Sequence, residues 1–207
     1  MHRNTFCRRA ALIGLSALAA TAVSAVPAFA RTVAPGCPAS AVSQPFAAWL
    51  DTADYALAPD GDLEDGGTIW TLADGAAVVE GNEPFQIGAA SDHRSLALPA
   101  GSSATTAPMC IGTEHRTIRF IARNDGVQSG SLRVDAVFRT PGGTVNSVRL
   151  GDVRGSETWS PTAELRTIVN RMAVAQHNAM SVSWRFTPRG EASWSIDDVY
   201  VDPFRRN

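Results

Sequence analysis

The stretch "GEASWSIDDVYVDPF" (Gly190–Phe204), close to the end of the chain, decides how the fold is interpreted. Its density of aromatic and β-branched residues is typical of a β-strand, yet Asp197 and Asp198 lie in its middle. Side chains on a strand alternate between two faces, so in either register one of these carboxylates points towards the apolar side. A buried carboxylate has to be paired, hydrogen-bonded or bound to a cation. The sequence therefore predicts a strand that holds a carboxylate against the core.

Short apolar runs separated by Gly, Pro, Asn and Asp fill the rest of the chain from residue 62 onwards. In the run 131–140, apolar residues occupy every second position, which predicts a half-buried strand. The tight "PGG" connection (Pro141–Gly143) joins this run to the next one as a hairpin. About nine or ten such strands predict an all-β fold, a two-sheet β-sandwich.

One helix is predicted within this series of strands. Ser160 is suited to cap it, and Pro161 is suited to its first position. Four apolar residues then follow at the spacing of one helix face: Leu165, Ile168, Val169 and Met172. Because such a stripe is usually core packing, we expect one short helix in a connection, buried on one side.

The first thirty residues have the pattern of a secretory signal peptide. Arg3, Arg8 and Arg9 form a positive start, an apolar run follows, and "AFA" (28–30) is a small-x-small cleavage site. This site favours removal over the alternative of an uncleaved membrane anchor. The sequence therefore predicts a secreted or extracellular protein, with an N-terminal segment at 31–60 and one β-sandwich domain at 61–207.

The charge of the mature chain argues against nucleic-acid binding. After cleavage at Ala30 the chain has 15 Arg, no Lys and 20 acidic residues, a net charge of −5. The arginines are scattered along the predicted strands and never form a basic block. We therefore expect no nucleic-acid partner and, since no other segment is long and apolar enough, no membrane span after cleavage.

Cys37 and Cys110 remain once Cys7 leaves with the signal peptide. An even number of cysteines in an exported chain favours a disulfide, which would pin the segment 31–60 to the domain. The alternative, a metal-binding or nucleophilic thiol, lacks a nearby His at ligand spacing.

Motifs at both ends of the chain resemble those of a known class. "DLEDGGTIWTLADGAAVVEG" (62–81), "SLALPAGSSATTAP" (95–108) and "WSIDDVYVDPF" (194–204) are similar, in this order, to segments of galactose-binding-like jelly-roll carbohydrate-binding modules. The chain departs from their pattern at Leu63, where an aromatic residue is usual. It also resembles a group of exported actinobacterial-type proteins with the same order of segments. The resemblance implies a jelly-roll β-sandwich and a non-catalytic module that binds polysaccharide or cell-wall glycan.

The same resemblance implies a structural Ca²⁺ ion. In these modules two acidic side chains often bind one ion, and the matching residues are Glu64 and Asp197. We expect the strand that begins near Leu63 to lie beside the closing strand, so that the two carboxylates converge. The alternative is that Asp197 pairs with an arginine or accepts backbone N–H groups at a strand end.

Sugar-binding sandwiches use exposed aromatic rings, and two residues are candidates for this role. Trp159, ahead of the predicted helix, is the first candidate, and Tyr55 is the second. The other tryptophans are expected in packed positions: Trp49, Trp70, Trp184 and Trp194.

No catalytic motif stands out in the sequence, which contains neither a Gly-x-Ser-x-Gly elbow nor a His-Glu-x-x-His pair. His93 and His115 each follow an acidic residue, but adjacent residues of a strand point to opposite faces and form no dyad. Three function classes stay open: a glycan-binding module, a structural or adhesive surface protein, and a small exported hydrolase.

Overall fold

The structure, a computed structural model, describes residues 31–32, 37–38, 40–126, 129–140, 142–155, 157–173 and 178–202. The predicted signal peptide at 1–30 lies outside the described residues. Among the residues that are described, no helix is long and apolar enough to cross a membrane.

Almost all of the regular structure is β-strand, as the alternating sequence predicts. In chain order the strands are β1 (Arg31–Thr32), β2 (Ser40–Ala41), β3 (Ala56–Leu57), β4 (Thr71–Ala73), β5 (Ala77–Glu80), β6 (Arg94–Leu98), β7 (Ser103–Thr105), β8 (Met109–Gly112), β9 (Thr117–Asn124), β10 (Ser131–Arg139), β11 (Val145–Val153), β12 (Ser160–Pro161), β13 (Leu165–Arg166), β14 (Ala179–Arg189) and β15 (Trp194–Val201). The helical segments are a 3₁₀ turn at Ala47–Trp49 and α1 (Asn170–Ala173).

The longer strands form two antiparallel sheets. The first sheet has the order β11-β10-β14-β7-β4, and β8 also pairs with β14. The second sheet has the order β12-β9-β15-β6-β5, with β13 also on β9 and β3 also on β15. Five of the fifteen strands in the described residues are only two residues long. The all-β two-sheet jelly-roll sandwich is therefore confirmed, and the ten longer strands agree with the expected number.

The core lies between the two sheets and is built from alternate residues of the long strands. Those of β10 and β14 have the predicted alternation, and their buried members are Leu132, Val134, Ala136, Phe138, Val182, Trp184 and Phe186. The hairpin of β10 and β11 is also confirmed. Three of the tryptophans expected in packed positions are at most 7% exposed: Trp70, Trp184 and Trp194. The fourth, Trp49, makes an edge-to-face contact with the ring of Phe85.

The helix predicted to start at Pro161 is wrong in extent. The residues expected in its first turns form β12 and β13, which pair with β9, and only α1 is helical. In the expected apolar stripe Val169 is fully buried, but Ile168 and Met172 are 50% and 40% exposed. Hydrogen bonding to β9 satisfies this segment's backbone and overrides its local helical pattern.

The N-terminal segment folds back over the outer face of the second sheet. β3 pairs with β15, and Phe46 and Tyr55 pack against Ile121 of β9 and Tyr200 of β15. Arg119 of β9 lies over the ring of Phe46, 4.5 Å from its centroid. The second sheet is therefore covered on both faces.

The predicted disulfide between Cys37 and Cys110 is confirmed. The two Cα atoms are 5.6 Å apart, a usual separation for a disulfide. Because Cys110 belongs to β8, the bond ties the N-terminal segment to the first sheet.

Candidate functional site

A bulge in β15 decides where its two aspartates point. Asp197 is paired with Ile121 and Tyr200 with Arg119, so β15 has one residue more than β9 between these pairs. Asp198 lies in this interval with a φ of 52°, a conformation that Asp tolerates better than most residues. The bulge shifts the side-chain alternation by one residue. Residues on both sides of it therefore reach the same core: Trp194, Ile196, Val199 and Val201.

Both aspartates at the bulge are buried, Asp197 fully and Asp198 with 2% of its surface exposed. The carboxylate of Asp197 accepts backbone N–H groups: Oδ1 from Asp198 at 2.8 Å and Oδ2 from Glu83 at 3.3 Å. Burial, followed by the charge of Asp198, raises the pKa of Asp197 to about 9. Asp197 thus has the backbone partners that the alternative interpretation anticipated.

Asp198 lies in an acidic cluster, which we define as Asp62, Glu83, Asp92 and Asp198. Burial, followed by the charges of the other three members, raises the pKa of Asp198 to about 8. Its Oδ1 has no hydrogen-bond partner in the described structure. A methyl group added at Gly88 would lie 2.4 Å from Oδ2 of Asp92 and 3.6 Å from Oδ1 of Asp198. Oδ2 of Asp92 and Oδ1 of Asp198 therefore both lie close to Gly88, and the Asp92 carboxylate leaves no room for a side chain at this position.

The acidic cluster is assembled by two loops and the bulge. Asp62 belongs to the turns that follow β3, and Glu83 and Asp92 belong to the connection between β5 and β6. Glu83 shapes this connection, because its carboxylate accepts the backbone N–H groups of Phe85 at 2.5 Å and Ile87 at 2.8 Å. The sequence separation of these elements explains why the cluster cannot be recognised from spacing alone.

Glu64, the predicted calcium partner of Asp197, has a different set of neighbours. Its Oε1 accepts the backbone N–H groups of His93 at 2.9 Å and Arg94 at 2.8 Å, and its Oε2 lies 2.9 Å from His93 Nδ1. Besides the adjacent Asp198, the acidic side chain that raises the pKa of Asp197 is Glu83. Glu64 and Asp197 therefore share no partner in the described structure.

The strand expected near Leu63 is replaced by a series of turns. Leu63 is fully buried and has a φ of 63°. The segment beside β15 is β3, followed by Gly61, whose carbonyl accepts the N–H of Val199 at 2.9 Å. The expected neighbourhood of the closing strand is correct to within a few residues, but a regular strand at Leu63 is wrong.

A bound cation needs several ligand atoms close together. No three Asp, Glu, His or Cys side chains in the described residues are close enough to hold an ion by themselves. Ca²⁺ also takes backbone carbonyls and water as ligands, so a smaller number of carboxylates is enough. Glu64 and Asp197 have no hydrogen-bond partner in common, whereas Asp198 lies near Asp62, Glu83 and Asp92. Asp198 fits better, since a buried carboxylate oxygen without a donor requires a proton or a cation.

The two aromatic candidates do not form a ligand platform. Tyr55 is fully buried and its hydroxyl donates to Asp51 Oδ2 at 2.7 Å, so the expectation that it is exposed is wrong. Trp159 is half-buried, and the guanidinium carbon of Arg123 lies 5.0 Å from its ring centroid. Arg123 thereby occupies a face of the ring that a sugar would need.

Replacing Trp159 by Ala is expected to lower stability without weakening glycan binding. Loss of a half-buried ring and its contact with Arg123 should reduce the free energy of unfolding by about 1–2 kcal/mol. Urea unfolding measures the first effect, and affinity electrophoresis against any glycan bound by the wild type measures the second. A tenfold loss of affinity would contradict this prediction and show that Trp159 contributes to the ligand site.

The two sheets differ in what covers their outer faces. The second sheet is covered by residues 43–57, whereas most outward side chains of β10, β11 and β14 are at least partly exposed. We call this outward side of the first sheet the open face. It contains a groove of about 420 Å³ whose lining includes Pro108, Val137, Arg139, Val145, Ser181 and Ser183.

Arginines dominate the charge of the open face. Asp135 of β10 is buried and accepts two hydrogen bonds from Nε of Arg133, both at 2.9 Å. Directly opposite Asp135 on the neighbouring strands are Arg149 of β11 and Arg185 of β14. Arg149 is paired with Asp152, whereas Arg185 has no hydrogen bond or ion pair within the described residues.

This sandwich is similar to solved structures of other proteins. The tandem CBM22-1–CBM22-2 domain of Paenibacillus barcinonensis Xyn10C aligns with a TM-score of 0.50 and 13% identity, covering 72% of this chain and 46% of that one. The CBM22-1 xylan-binding domain of the same protein gives a TM-score of 0.48 and 13% identity, covering 71% of this chain and 96% of that one. The CBM22-1–GH10 modules of Clostridium thermocellum xylanase 10B, complexed with xylohexaose, give 0.49 and 12%, covering 69% of this chain and 27% of that one.

The chain thus spans less than half the length of two of these three structures. No protein-family model matches the sequence, and no curated protein matches it. The fold is the jelly-roll sandwich found in carbohydrate-binding modules, and at 13% identity the likeness concerns the fold.

Proposed function

We propose that this protein is an exported, non-catalytic module that binds extracellular or cell-wall carbohydrate on its open face. The observation that carries the proposal is the difference between the two sheets. Residues 43–57 cover the second sheet, while the described residues leave a groove open on the first sheet. Since one fold can serve many functions, the fold supports this function but does not assign the ligand.

The lining of the groove suits a sugar. The hydroxyls of Ser181 and Ser183 can donate and accept hydrogen bonds, and the guanidinium of Arg139 can donate them. Val137 adds an apolar floor between them for the C–H groups of a sugar ring. An apolar surface with a few converging polar groups is the usual composition of a small-ligand site.

Blocking the groove is expected to abolish glycan binding. In Ser183→Tyr, a bulky side chain replaces a small outward one in the groove, so affinity for any glycan selected on an array should fall at least about tenfold. The melting temperature should change little, because the substitution lies on the surface.

Ala47→Tyr is the matched control, since Ala47 is exposed on the layer that covers the opposite sheet. It should bind like the wild type. If folded wild-type protein binds no glycan on the array, or if both variants bind equally, the open face is not a carbohydrate site.

We further propose that the Ca²⁺ ion predicted from the sequence binds at Asp198, beside Asp62, Glu83 and Asp92. The unpartnered Oδ1 of Asp198, with the carboxylate of Asp92 nearby, supports this position. Ca²⁺ would neutralise the repulsion between these carboxylates and join the bulge of β15 to the connection between β5 and β6.

A structural or adhesive role is the second candidate function. It is favoured by exposed apolar side chains on the side opposite the open face: Leu50 is 93% exposed and Phe85 is 43% exposed beside Trp49. Exposed apolar residues of this size are typical of contacts with another macromolecule. Failure to bind any glycan, together with concentration-dependent self-association that Leu50→Ser abolishes, would favour this candidate.

A further inference from the structure

We propose that the glycan bound on the open face is acidic, with anionic groups that pair with Arg139 in the groove and with Arg185 just beyond its opposite end. This inference rests on the proposed function and adds the chemical class of the ligand.

The net charge of the open face is opposite in sign to that of the full chain. The full chain has a formal net charge of −2. The charged residues on this face are five arginines and two aspartates: Arg133, Arg139, Arg149, Arg185, Arg189, Asp135 and Asp152. Positive charge is therefore concentrated on the sheet face that the described residues leave open.

Only some of the arginines on this face form ion pairs within the described structure. Arg133 pairs with Asp135, and Arg149 pairs with Asp152. Arg185 has no partner in the described structure, although it lies directly across from Asp135. The carboxylate of Asp135 is engaged by Arg133, so it leaves the guanidinium of Arg185 available.

Arg139 and Arg185 are separated along the strands of the open face. Nη1 of Arg139 donates to the carbonyl of Gly143 at 3.1 Å, which uses one of the five donors of the guanidinium. Val137 pairs with Ser183 at one end of the groove lining. Arg139 lies two residues from this pair at the other end of the groove, and Arg185 lies two residues beyond the pair in the opposite direction. At 3.3 Å a residue, the two guanidinium groups are attached about 13 Å apart along the strands. An extended oligosaccharide between them could present an anionic group to each.

The open face offers hydroxyl and charged groups to a ligand. Among the described outward positions of β10 and β14 there is no aromatic ring, so a neutral sugar would find hydroxyl partners but no stacking surface. A carboxylate or sulfate gains more, because a guanidinium forms paired, charge-assisted hydrogen bonds with such groups. The chemistry of the face therefore favours an anionic ligand over a neutral one.

Isothermal titration with four polymers tests this inference: polygalacturonate, its fully methyl-esterified form, dextran sulfate and dextran. We expect at least one acidic polymer to bind at least tenfold more tightly than its neutral counterpart. Polygalacturonate and dextran sulfate separate carboxylate from sulfate as the recognised group. Arg185→Gln should weaken binding of the acidic polymer about tenfold or more, and Arg139→Gln should act in the same direction.

Arg166→Gln is the matched control, because Arg166 is exposed on β13 of the other sheet and the change in net charge is identical. It should bind like the wild type. Equal losses in Arg166→Gln and Arg185→Gln would indicate non-specific attraction and overturn the inference.

The outcomes also separate this inference from the proposed function. If a neutral glycan from the array binds best, with a loss in Ser183→Tyr and none in Arg185→Gln, the acidic ligand is excluded and the open face remains a glycan site. If no glycan of either kind binds, both proposals fail.

Discussion

With EDTA present, the free energy of unfolding is expected to rise as the pH is lowered from 8 to 5, the reverse of ordinary acid destabilisation. The cause is the pair of carboxyl groups at the bulge of β15. Burial is the largest reason why the pKa of Asp197 is raised to about 9 and that of Asp198 to about 8.

The sign follows from proton uptake in the two states. In the unfolded chain both groups titrate near the ordinary aspartate pKa of about 3.9. Between that value and the native values, the native state holds more protons than the unfolded state, so its stability falls over this whole interval as the pH rises and levels off above the native pKa values of about 8 and 9. One proton retained over three pH units corresponds to about 4 kcal/mol. Urea unfolding at fixed pH measures the change.

Calcium is expected to act on the deprotonated groups. At pH 8, added Ca²⁺ should restore much of the lost stability, and at pH 5 it should add little, because protons compete for the same oxygens. Asp198→Asn should reduce both the pH dependence and the calcium response, since a neutral amide replaces the unpartnered carboxylate and Asn tolerates the positive φ. Asp65→Asn, at an exposed position, should leave both unchanged.

Two results would contradict parts of this account. A wild-type midpoint that ignores pH between 5 and 8 would exclude buried carboxyl groups with raised pKa values. A midpoint that depends on pH but not on Ca²⁺ would keep the buried protons and remove the metal from the acidic cluster.

The sequence predicted the sandwich because its long strands have a regular period of two. Every second residue of β10 from Leu132 to Phe138 is buried, as the alternation indicates. The same logic failed at Asp198, since a bulge inserts a residue and breaks the period. The question of which aspartate points inward assumed one register for the whole strand. The structure has two, and both aspartates are buried at the change.

Local pattern also failed where pairing partners are distant. Leu165 and Val169 have helical spacing, but β9 lies forty residues earlier and offers hydrogen bonds to this segment. Tyr55 follows Asp51, Thr52 and Asp54 closely in the sequence, yet it is buried because residues 43–57 fold back onto β9 and β15. In each case the deciding neighbour is remote in the chain, so that no local window contains the information.

On the open face, too, some features can be predicted from the local sequence, whereas others depend on parts of the chain that are remote in sequence. Alternation places Arg185 outward on β14 and Arg139 outward on β10, and this much is readable from the sequence. That the two strands are neighbours, with Asp135 directly opposite Arg185, depends on sheet order. Sheet order also decides that the second sheet, and not the first, receives the N-terminal cover.

Removing the disulfide is the second change with a large expected effect. Cys37 and Cys110 are 73 residues apart, and in the chain-entropy model closing such a loop stabilises the folded state by about 4 kcal/mol. The bond also fixes the start of the segment whose Phe46 and Tyr55 cover the second sheet. Without it, that layer is held by its packing, by the pairing of β3 and by the ion pair of Asp51 with Arg119 of β9.

The double variant Cys37→Ala, Cys110→Ala is therefore expected to melt about 10 °C below the oxidised wild type. Differential scanning calorimetry measures the shift, and dithiothreitol provides the control: it should lower the wild type to the same midpoint and leave the double variant unchanged. Phe46→Leu, which weakens the covering layer without touching the bond, should lower the midpoint further in the double variant than in the wild type if the disulfide and the packing support the same layer. Equal midpoints for the double variant and the oxidised wild type would show that the packing of residues 43–57 against β9 and β15 is sufficient by itself.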